Sequence, residues 1–180
     1  MITNIKHHTP SNTDNFLLDT NIWLFLFCPI ANHKQHIVSN YSSYYAKLIK
    51  NKSTIYTTSM ILSEFINRYL RIDCGLNGFS AKDYKKSYRT SAQFKSTYAT
   101  IEHTVKNSIL KYVTCLDDEM TTISFNDVFT DSLDSDFNDS YMSNLVKGKN
   151  IAILTDDGDF SNLSNNHDIY TSNPYLLKSK

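Results

Sequence analysis

The sequence predicts an α/β protein in which helices cover both faces of a central, mostly parallel sheet. Short apolar runs with the length of strands alternate along the chain with longer segments whose apolar residues recur at helical spacing. Two of the strand-like runs, 16–18 and 151–154, lead directly into acidic residues, and ligand sites of open α/β sheets lie at such strand ends. With 180 residues and only four Gly and three Pro, the chain is expected to form one domain, 1–180.

Each element is predicted from its own local pattern. The predicted strands are 16–18, 52–57, a weak edge strand at 121–125, 151–154 and 168–171. The predicted helices are 22–28, 36–50, an amphipathic helix capped by residue 58 or 59, two helices within 80–115, and 138–146. Residues 1–14 are polar and expected to be loose.

The segment 73–118 is the long connection of this pattern. Gly75 and Gly78 are expected to break the chain, and the residues that follow have helical spacing up to Cys115. The sequence therefore predicts that 73–118 forms an extended helical insertion.

Charge is distributed unevenly although Lys plus Arg equals Asp plus Glu at 18 each. Eleven of the acids lie between Asp117 and Asp159, whereas Lys82–Lys95 holds five basic residues and one acid. Since the net charge is zero, affinity for nucleic acid has to come from local charge or from a bound metal ion.

Three cysteines without a CxxC pair favour reduced thiols in a cytoplasmic protein. The apolar run 22–28 is too short to span a membrane, and the polar stretch before it is a poor start for an export signal. We expect it to be a buried helix, with an export signal as the weaker alternative. No membrane partner is expected.

Carboxylates recur at four places along the chain. Asp19 closes the first strand, Glu64 lies on the helix after the second, Asp139 opens a late helix, and a cluster of acids follows 151–154. Each has a structural alternative: a turn or cap for Asp19, an i,i+4 ion pair of Glu64 with Arg68, helix-dipole compensation for Asp139, and a polar turn for the cluster. Taken together they predict a site for a cation.

Four sequence segments resemble, in order, the acidic motifs of the PIN-domain nucleases, and most closely those of VapC-type ribonuclease toxins. The segments are FLLDTNIWL, SMILSEFINRYL, DFNDSYMSNL and IAILTDDGDF. The first and last motifs are the specific ones, and the resemblance covers residues 16–72 and roughly 120–172. It implies a three-layer α/β/α fold and a ribonuclease that leaves 5′-phosphate and 3′-hydroxyl ends.

The resemblance also implies a role for each matching residue. The metal-binding, catalytic acids would be Asp19, Glu64, Asp139 and Asp157, and Asp159 would be an auxiliary carboxylate. Asn21 and Thr155 would support the acids by hydrogen bonds. Asp156 would point outward, and Asp136 would be a weaker substitute for Asp139. Oxygen ligands of this kind suit Mg²⁺ or Mn²⁺, which neutralise phosphate charge and lower the pKa of bound water.

Several expectations about partners follow. RNA is the expected substrate, and the basic segment with Lys85, Lys86 and Arg89 is a hypothetical RNA contact, in which Tyr84, Tyr88 or Phe94 could stack on a base or pack internally. The toxin likeness suggests an antitoxin protein as partner, and the apolar 22–28 could serve a homodimer or antitoxin surface. A catalytically silent PIN-like module that binds RNA or protein is the alternative to the nuclease.

Overall fold

The computed structural model describes residues 1–163 and 167–178 and has a parallel sheet at its centre. The strands are β1 (Ile2–Asn4), β2 (Asn15–Leu18), β3 (Thr54–Thr57), β4 (Thr114–Cys115), β5 (Ala152–Leu154) and β6 (Ile169–Thr171). They form one six-stranded sheet in the order β1-β6-β5-β2-β3-β4, and every neighbouring pair is parallel. The predicted parallel α/β sheet is confirmed.

Helices fill the connections between the strands. They are α1 (Thr20–Phe27), α2 (Gln35–Lys50), α3 (Ser59–Leu76), α4 (Ala92–Thr104), α5 (Phe125–Asp131), α6 (Phe137–Val146) and α7 (Pro174–Lys178). Strands β2, β3 and β4 advance toward one edge of the sheet, and β5 and β6 advance toward the other. Because parallel crossovers are right-handed, α1–α4 cover one face and α5 and α6 the opposite face.

The reversal in strand order places β2 beside β5 at the middle of the sheet. Leu18 pairs with Leu154, and the ladder continues one step because the Asp19 amide donates to the Leu154 carbonyl over 3.0 Å. The residues that follow both strands therefore emerge side by side at the carboxyl edge of the sheet. In open α/β sheets this is the place where ligands bind.

The apolar runs of the sequence supply the core. Phe16, Leu17, Leu18, Ile153 and Leu154 are all buried, as central parallel strands require when both faces are covered. Each such side chain contributes roughly 1.5–3 kcal/mol by leaving water.

Helix α1 divides the predicted apolar run into a buried and a half-buried part. Its first turns bury Ile22, Trp23 and Leu24, whereas residues 25–27 are partly exposed. The helix stops before Cys28 and Pro29, as predicted. No helix within the described residues is long and apolar enough to cross a membrane.

Helix α3 begins as predicted and ends later than predicted. The Thr58 hydroxyl accepts from the Ile61 amide and caps the helix, whose buried stripe includes Phe65 and Tyr69. Gly75 lies inside the helix instead of breaking it. The helix ends at Leu76, and Gly78, two residues later, adopts the left-handed conformation with φ of 76° that follows many helix ends.

Two predictions about chain segments are corrected, and one helix was not predicted. Residues 1–14 are not all loose, because β1 pairs with β6 and buries Ile2 and Ile5. Residues 121–125 do not form the edge strand: the edge is Thr114–Cys115, which pairs with β3. Helix α5 was not predicted, since its seven residues are too short for a periodic pattern to emerge.

The predicted helical segment is shorter than 73–118 at both ends, because α3 runs to Leu76 and β4 occupies 114–115. Between them lie α4 and two π-helical turns, Tyr84–Tyr88 and Val105–Ile109. That the segment 73–118 is an insertion, absent from similar proteins, stays a prediction.

Buried Asp73 ties this helical segment to the body of the protein. Its carboxylate accepts from the Tyr88 hydroxyl over 2.7 Å and from the Gln93 and Asn77 amides over 3.1 Å each. A buried carboxylate is tolerated when donors surround it, and here they come from both sides of the junction. Tyr84 and Tyr88 belong to this packed region, which places the two rings in the core and not on an RNA-facing surface.

We predict that Asp73→Ala lowers the free energy of unfolding by about 1–3 kcal/mol, because the buried Tyr88 hydroxyl and Gln93 amide lose their acceptor. The control is Glu102→Ala, which removes an exposed partner of Lys106 and is expected to change stability little. Urea unfolding followed by circular dichroism measures both. Equal midpoints for the two variants would contradict the assignment.

Candidate active site

A cavity of about 250 Å³ opens at the carboxyl edge of the sheet, where β2 and β5 end. It is lined by Asp19, Asn21, Glu64, Arg68, Asp136, Phe137, Asn138, Asp139 and Asp157. Five of these residues are acids, contributed by four separate segments of the chain. The fold therefore brings together the four acids predicted as the main metal ligands.

Asp19 is the most buried acid of the cavity, with 5% of its surface exposed. It sits at the N-cap of α1, where its Oδ1 accepts from the Thr20 amide. Burial raises its pKa to about 7, aided by the nearby carboxylates of Asp157 and Glu64 and opposed by the hydrogen bond from Thr155.

Thr155 connects the two strand ends. Its hydroxyl donates to Asp19 Oδ2 over 2.7 Å and accepts from the Asp157 amide over 2.9 Å. One buried hydroxyl thus orients the acid after β2 and fixes the backbone that carries the acid after β5. Asn21 acts from the other side, since its Oδ1 accepts from the Asp156 amide over 3.3 Å.

Glu64 reaches the cavity from the second turn of α3. Its Oε2 accepts from the Thr20 hydroxyl over 3.1 Å, which joins α3 to the start of α1. Its Oε1 lies 3.4 Å from Arg68 Nη1, so the ion pair weighed against a site role is also present. Arg68 itself lines the cavity and is the one basic residue among its described lining residues.

Asp139 enters from the first turn of α6, on the same side as buried Met142 and Val146. Burial raises its pKa to about 8, and Asp19, Asp157 and Asp136 raise it further because each adds negative charge. The acids of four chain segments line this one cavity, so their like charges add to the effect of burial.

Asp159 and Asp156 lie outside the cavity. Asp159 is exposed, and its amide donates to Asp157 Oδ1, so a role as auxiliary ligand stays a prediction. Asp156 was expected to point outward, and this is wrong: the half-buried carboxylate accepts from the Tyr41 hydroxyl over 2.7 Å.

Tyr41 is a structural hub of the site that the sequence did not reveal. Burial, and then the Asp156 carboxylate, raise the pKa of Tyr41, so the hydroxyl keeps its proton and donates to Asp156. It also accepts from the Ser172 amide over 2.9 Å and lies 3.2 Å from the Thr171 hydroxyl. Helix α2 thereby holds the loop after β5 against the loop after β6.

A larger cavity, of about 740 Å³, lies at the opposite end of β2 and β5, near Asn15, Ile151 and Ala152. We assign the site to the smaller cavity because the buried carboxylates of Asp19 and Asp139, with their raised pKa values, meet there, and such groups in a cleft mark candidate functional sites.

The donor set of the acid cavity fits a hard divalent cation. Its side chains offer carboxylate and amide oxygens and no thiol or imidazole, which suits Mg²⁺ or Mn²⁺. Among the described residues, no three acid, His or Cys side chains stand close enough to form a complete ligand set. The cavity has room for several water molecules, and Mg²⁺ keeps several of its waters when it binds proteins.

Comparison with known proteins identifies structures of similar fold. No protein-family model and no curated protein matches the sequence. Among solved structures, the chain is similar to VapBC2 of Rickettsia felis bound to a promoter DNA fragment, with a TM-score of 0.52 and 14% identity over 87% of this chain and 97% of that one.

Two further structures are similar to the same extent. FitAcB of Neisseria gonorrhoeae gives a TM-score of 0.52 and 15% identity over 86% of this chain and 96% of that one. DNA-bound VapBC of Salmonella typhimurium gives a TM-score of 0.50 and 13% identity over 89% of this chain and 99% of that one. The chain has the PIN-type α/β/α fold of VapC-like proteins, as the sequence motifs predicted. At these identities the likeness establishes the fold alone.

We predict that Tyr41→Phe lowers the free energy of unfolding by about 1–3 kcal/mol, because the Asp156 carboxylate loses a donor and the Ser172 amide loses its acceptor. Tyr45→Phe is a matched control on the same helix. The Tyr45 hydroxyl is buried without a hydrogen-bond partner among the described residues, so its removal is expected to be neutral or stabilising. Urea unfolding of both variants tests this, and a larger loss for Tyr45→Phe would refute it.

We predict that the metal-free protein loses stability as pH rises from about 5 to about 8. Asp19 and Asp139 have pKa values of about 7 and 8 when folded, against roughly 4 in an unfolded chain, so the folded state holds more protons in this window and each group's stabilising effect is lost as pH rises through its folded pKa. Asp19→Asn should flatten this slope and raise the free energy of unfolding near pH 8 by roughly 1–4 kcal/mol.

Urea titrations in EDTA at the two pH values provide the measurement. Asp83→Asn, which changes an exposed acid outside the cavity, is the control and should keep the slope of the unaltered protein. A protein that is equally stable at both pH values would show that folding does not raise the pKa values of Asp19 and Asp139.

Proposed function

We propose that the protein is a divalent-metal-dependent endoribonuclease that hydrolyses RNA phosphodiester bonds at the acid cavity. The observation that carries the proposal is the convergence of Asp19, Glu64, Asp139 and Asp157 in one cavity at the switch point of a PIN-type sheet. Asp19 and Asp139 carry raised pKa values, and the five acids of the cavity lie next to one basic residue, which is a costly arrangement for a purely structural role.

The four carboxylates would hold Mg²⁺ or Mn²⁺ by oxygen ligands. When bound, the cation neutralises phosphate charge and lowers the pKa of a coordinated water molecule. Thr155 keeps Asp19 and the Asp157 backbone in place by hydrogen bonds, and Asn21 supports the adjoining loop. These contacts fix the acids before substrate arrives, which lowers the cost of organising the site.

Arg68 is a proposed phosphate-binding residue, whereas the sequence analysis considered it only as the ion-pair partner of Glu64. It lines the cavity beside Glu64 over a 3.4 Å contact and is about half exposed, so its guanidinium is free to reach a phosphate oxygen. Arginine binds phosphate through a planar pair of donors. Asp136 and Asn138 line the same wall, and Asp136 is retained as a weaker substitute for Asp139.

The basic segment that holds Lys85, Lys86 and Arg89 is a proposed additional contact for RNA. Lys85, Lys86 and Arg89 are exposed and lie outside the cavity lining. They would contribute phosphate contacts along the strand, with an affinity that falls as salt rises. Arg89 lies 5.7 Å from the Phe94 ring, which leaves this ring engaged within the protein.

The biological role that we propose is the toxin of a toxin–antitoxin pair acting in the cytoplasm. The similar structures are VapBC complexes of Rickettsia felis and Salmonella typhimurium, both with DNA, and FitAcB of Neisseria gonorrhoeae. An antitoxin protein and a second copy of this chain are therefore the proposed partners. The half-buried residues 25–27 of α1 are available for such an interface.

The alternative is a catalytically silent module of the same fold that binds RNA or protein. It predicts RNA binding that needs neither the cation nor the acids. The buried carboxylates favour the nuclease, since a silent module would gain stability by replacing them.

The test is cleavage of a mixed RNA panel by purified protein with Mg²⁺, with Mn²⁺ and with EDTA. Asp19→Asn and Asp157→Asn are each expected to lower the rate on the order of 10²-fold, because each removes an oxygen charge from the cation site. Asp83→Asn is the matched control and should cleave like the unaltered protein.

The three outcomes separate the candidates. Metal-dependent cleavage that is lost in both cavity variants supports the nuclease. RNA binding without cleavage under every condition favours the silent module. Cleavage that survives both substitutions would locate the reaction at another site or in a contaminant.

A further inference from the structure

A second cavity, of about 220 Å³, lies between helix α2 and the residues that follow β1, and we call it the α2 cavity. Buried Ile5 and Tyr44 form part of its wall. Its other lining residues are polar or basic, namely Lys6, Ser39, Asn40, Ser43 and Lys47. The described residues that line it include no acid, so its charge is opposite to that of the acid cavity.

The polar side chains of the α2 cavity are available to a ligand. Ser39, Ser43 and Lys47 recur at i,i+4 spacing and therefore lie in one row along α2. Lys6 adds its charge from the side of β1. Within the described part of the chain, none of these side chains, nor that of Asn40, forms a hydrogen bond or an ion pair. A phosphate group, which has several acceptor oxygens, gains contacts here without breaking internal ones.

The sequence around the α2 cavity is basic over a long stretch. Residues 20–63 contain no Asp or Glu, and they hold Lys34, Lys47, Lys50 and Lys52. The whole chain has a net charge of zero, so it attracts phosphate only where positive charge is concentrated. Helix α2 is such a place.

The register of the sheet places the α2 cavity at the same edge as the acid cavity. Across the sheet, Leu18 is level with Leu154, Tyr170 and Thr3 in successive strands. Lys6 therefore follows β1 at the carboxyl edge, where the acid cavity also opens. With about 5 Å between neighbouring strands, β1 lies roughly 10 Å from β5. An RNA strand that enters the acid cavity can extend along this edge to the α2 cavity.

Helix α2 also connects the two cavities directly. Asn40 lines the α2 cavity, and the hydroxyl of the next residue, Tyr41, donates to Asp156 over 2.7 Å. Asp156 in turn precedes Asp157, which lines the acid cavity. One helix thus holds the basic cavity in a fixed position relative to the acids.

We propose that the α2 cavity is a phosphate-binding subsite for an RNA strand that reaches the acid cavity. Lys6 and Lys47 neutralise one phosphate of the strand, and the Ser39 and Ser43 hydroxyls donate hydrogen bonds to its oxygens. Contacts with phosphate position a strand without reading its sequence, so the subsite fixes where the RNA lies and not which bases it has. The choice of RNA rests on the proposed nuclease function, whereas phosphate binding does not.

Inorganic phosphate, titrated in EDTA without RNA, tests the chemistry of the subsite. We expect phosphate to shift the amide NMR signals of Lys6, Asn40 and Ser43, and we expect the double variant Lys6→Gln/Lys47→Gln to lose these shifts. The control is Lys50→Gln/Lys52→Gln, which removes two exposed lysines outside the cavity and changes the net charge equally. No shift at the cavity, or its survival in Lys6→Gln/Lys47→Gln, would overturn phosphate binding.

Binding of a fluorescent RNA of about 12 nucleotides, followed by anisotropy in EDTA at several salt concentrations, tests the source of the phosphate. Lys6→Gln/Lys47→Gln should weaken binding about tenfold at low salt. It should also reduce the slope of log K against log salt by about 0.7, the value for one phosphate contact. The control variant should keep both values, and equal urea midpoints check that both variants fold.

Two results would assign the α2 cavity to another ligand. Phosphate-dependent shifts with unchanged RNA affinity and salt slope would make it a site for a small phosphate compound. An acidic peptide whose binding depends on Lys6 and Lys47, with RNA binding unaffected, would make it a contact for a protein. Either result would overturn the RNA subsite.

A cleavage assay separates the subsite from the proposed function. Lys6→Gln/Lys47→Gln should raise KM about tenfold and leave kcat unchanged, because a contact remote from the cleaved bond is equal in the ground state and the transition state. Cleavage with KM and RNA affinity equal to those of the control would overturn the subsite and leave the nuclease supported. RNA binding that depends on Lys6 and Lys47, without cleavage in any metal, would overturn the nuclease and leave the subsite supported.

Discussion

The site depends on one feature of the sheet, the parallel pairing of β2 with β5 in a register that sets Leu18 beside Leu154. This register brings Asp19 and Thr155 within 2.7 Å although 136 positions separate them in the chain. A shift by one residue would turn every side chain of the strand to the opposite face and separate the two groups. The buried apolar side chains on both strands make such a shift costly, so the hydrophobic core fixes the geometry of the acids.

The acids are held in place against their mutual repulsion. Hydrogen bonds from Thr155 and the Thr20 amide stabilise the ionised form of Asp19, but burial outweighs them. Other contacts hold the surrounding segments in place. The Thr20 hydroxyl donates to Glu64, the Tyr41 hydroxyl donates to Asp156, and the buried side chains of α6 pack in the core. A cation would relieve the repulsion, so the folded chain is organised for a ligand that carries positive charge.

Local patterns made much of the fold predictable. The central strands, α1, α2, α6 and the first residue of α3 followed from apolar periodicity and caps, because these elements bury one continuous stripe or run. Asp19 and the cluster with Asp157 could be placed together because strand ends of a parallel sheet share an edge, whereas Glu64 and Asp139, which lie on helices, were assigned to the site by the motif resemblance. Helix α5 and strands β1 and β4 were missed or misplaced, since they are short and are stabilised by pairing with distant residues.

The supporting contacts of the site were predictable only in part. Thr155 and Asn21 follow the motif acids so closely in sequence that their proximity could be inferred. Tyr41 could not, because nothing in α2 distinguishes it from Tyr44 or Tyr45, and its role arises from where α2 crosses the ends of β5 and β6. The raised pKa of Asp139 likewise depends on three other segments.

The position of β1 at the edge of the sheet has a consequence for synthesis on the ribosome. Its Ile2 pairs with Ile169 in β6, so β1 is made long before the strand that buries it. The central pair has the same dependence, because β2 lacks one neighbour until β5 has been made. A nascent chain can fold α1 to β4 locally, but contacts of such long range form late. The acid cavity is therefore assembled only after β5 has been made, and a truncated translation product that stops before β5 carries its acids unassembled.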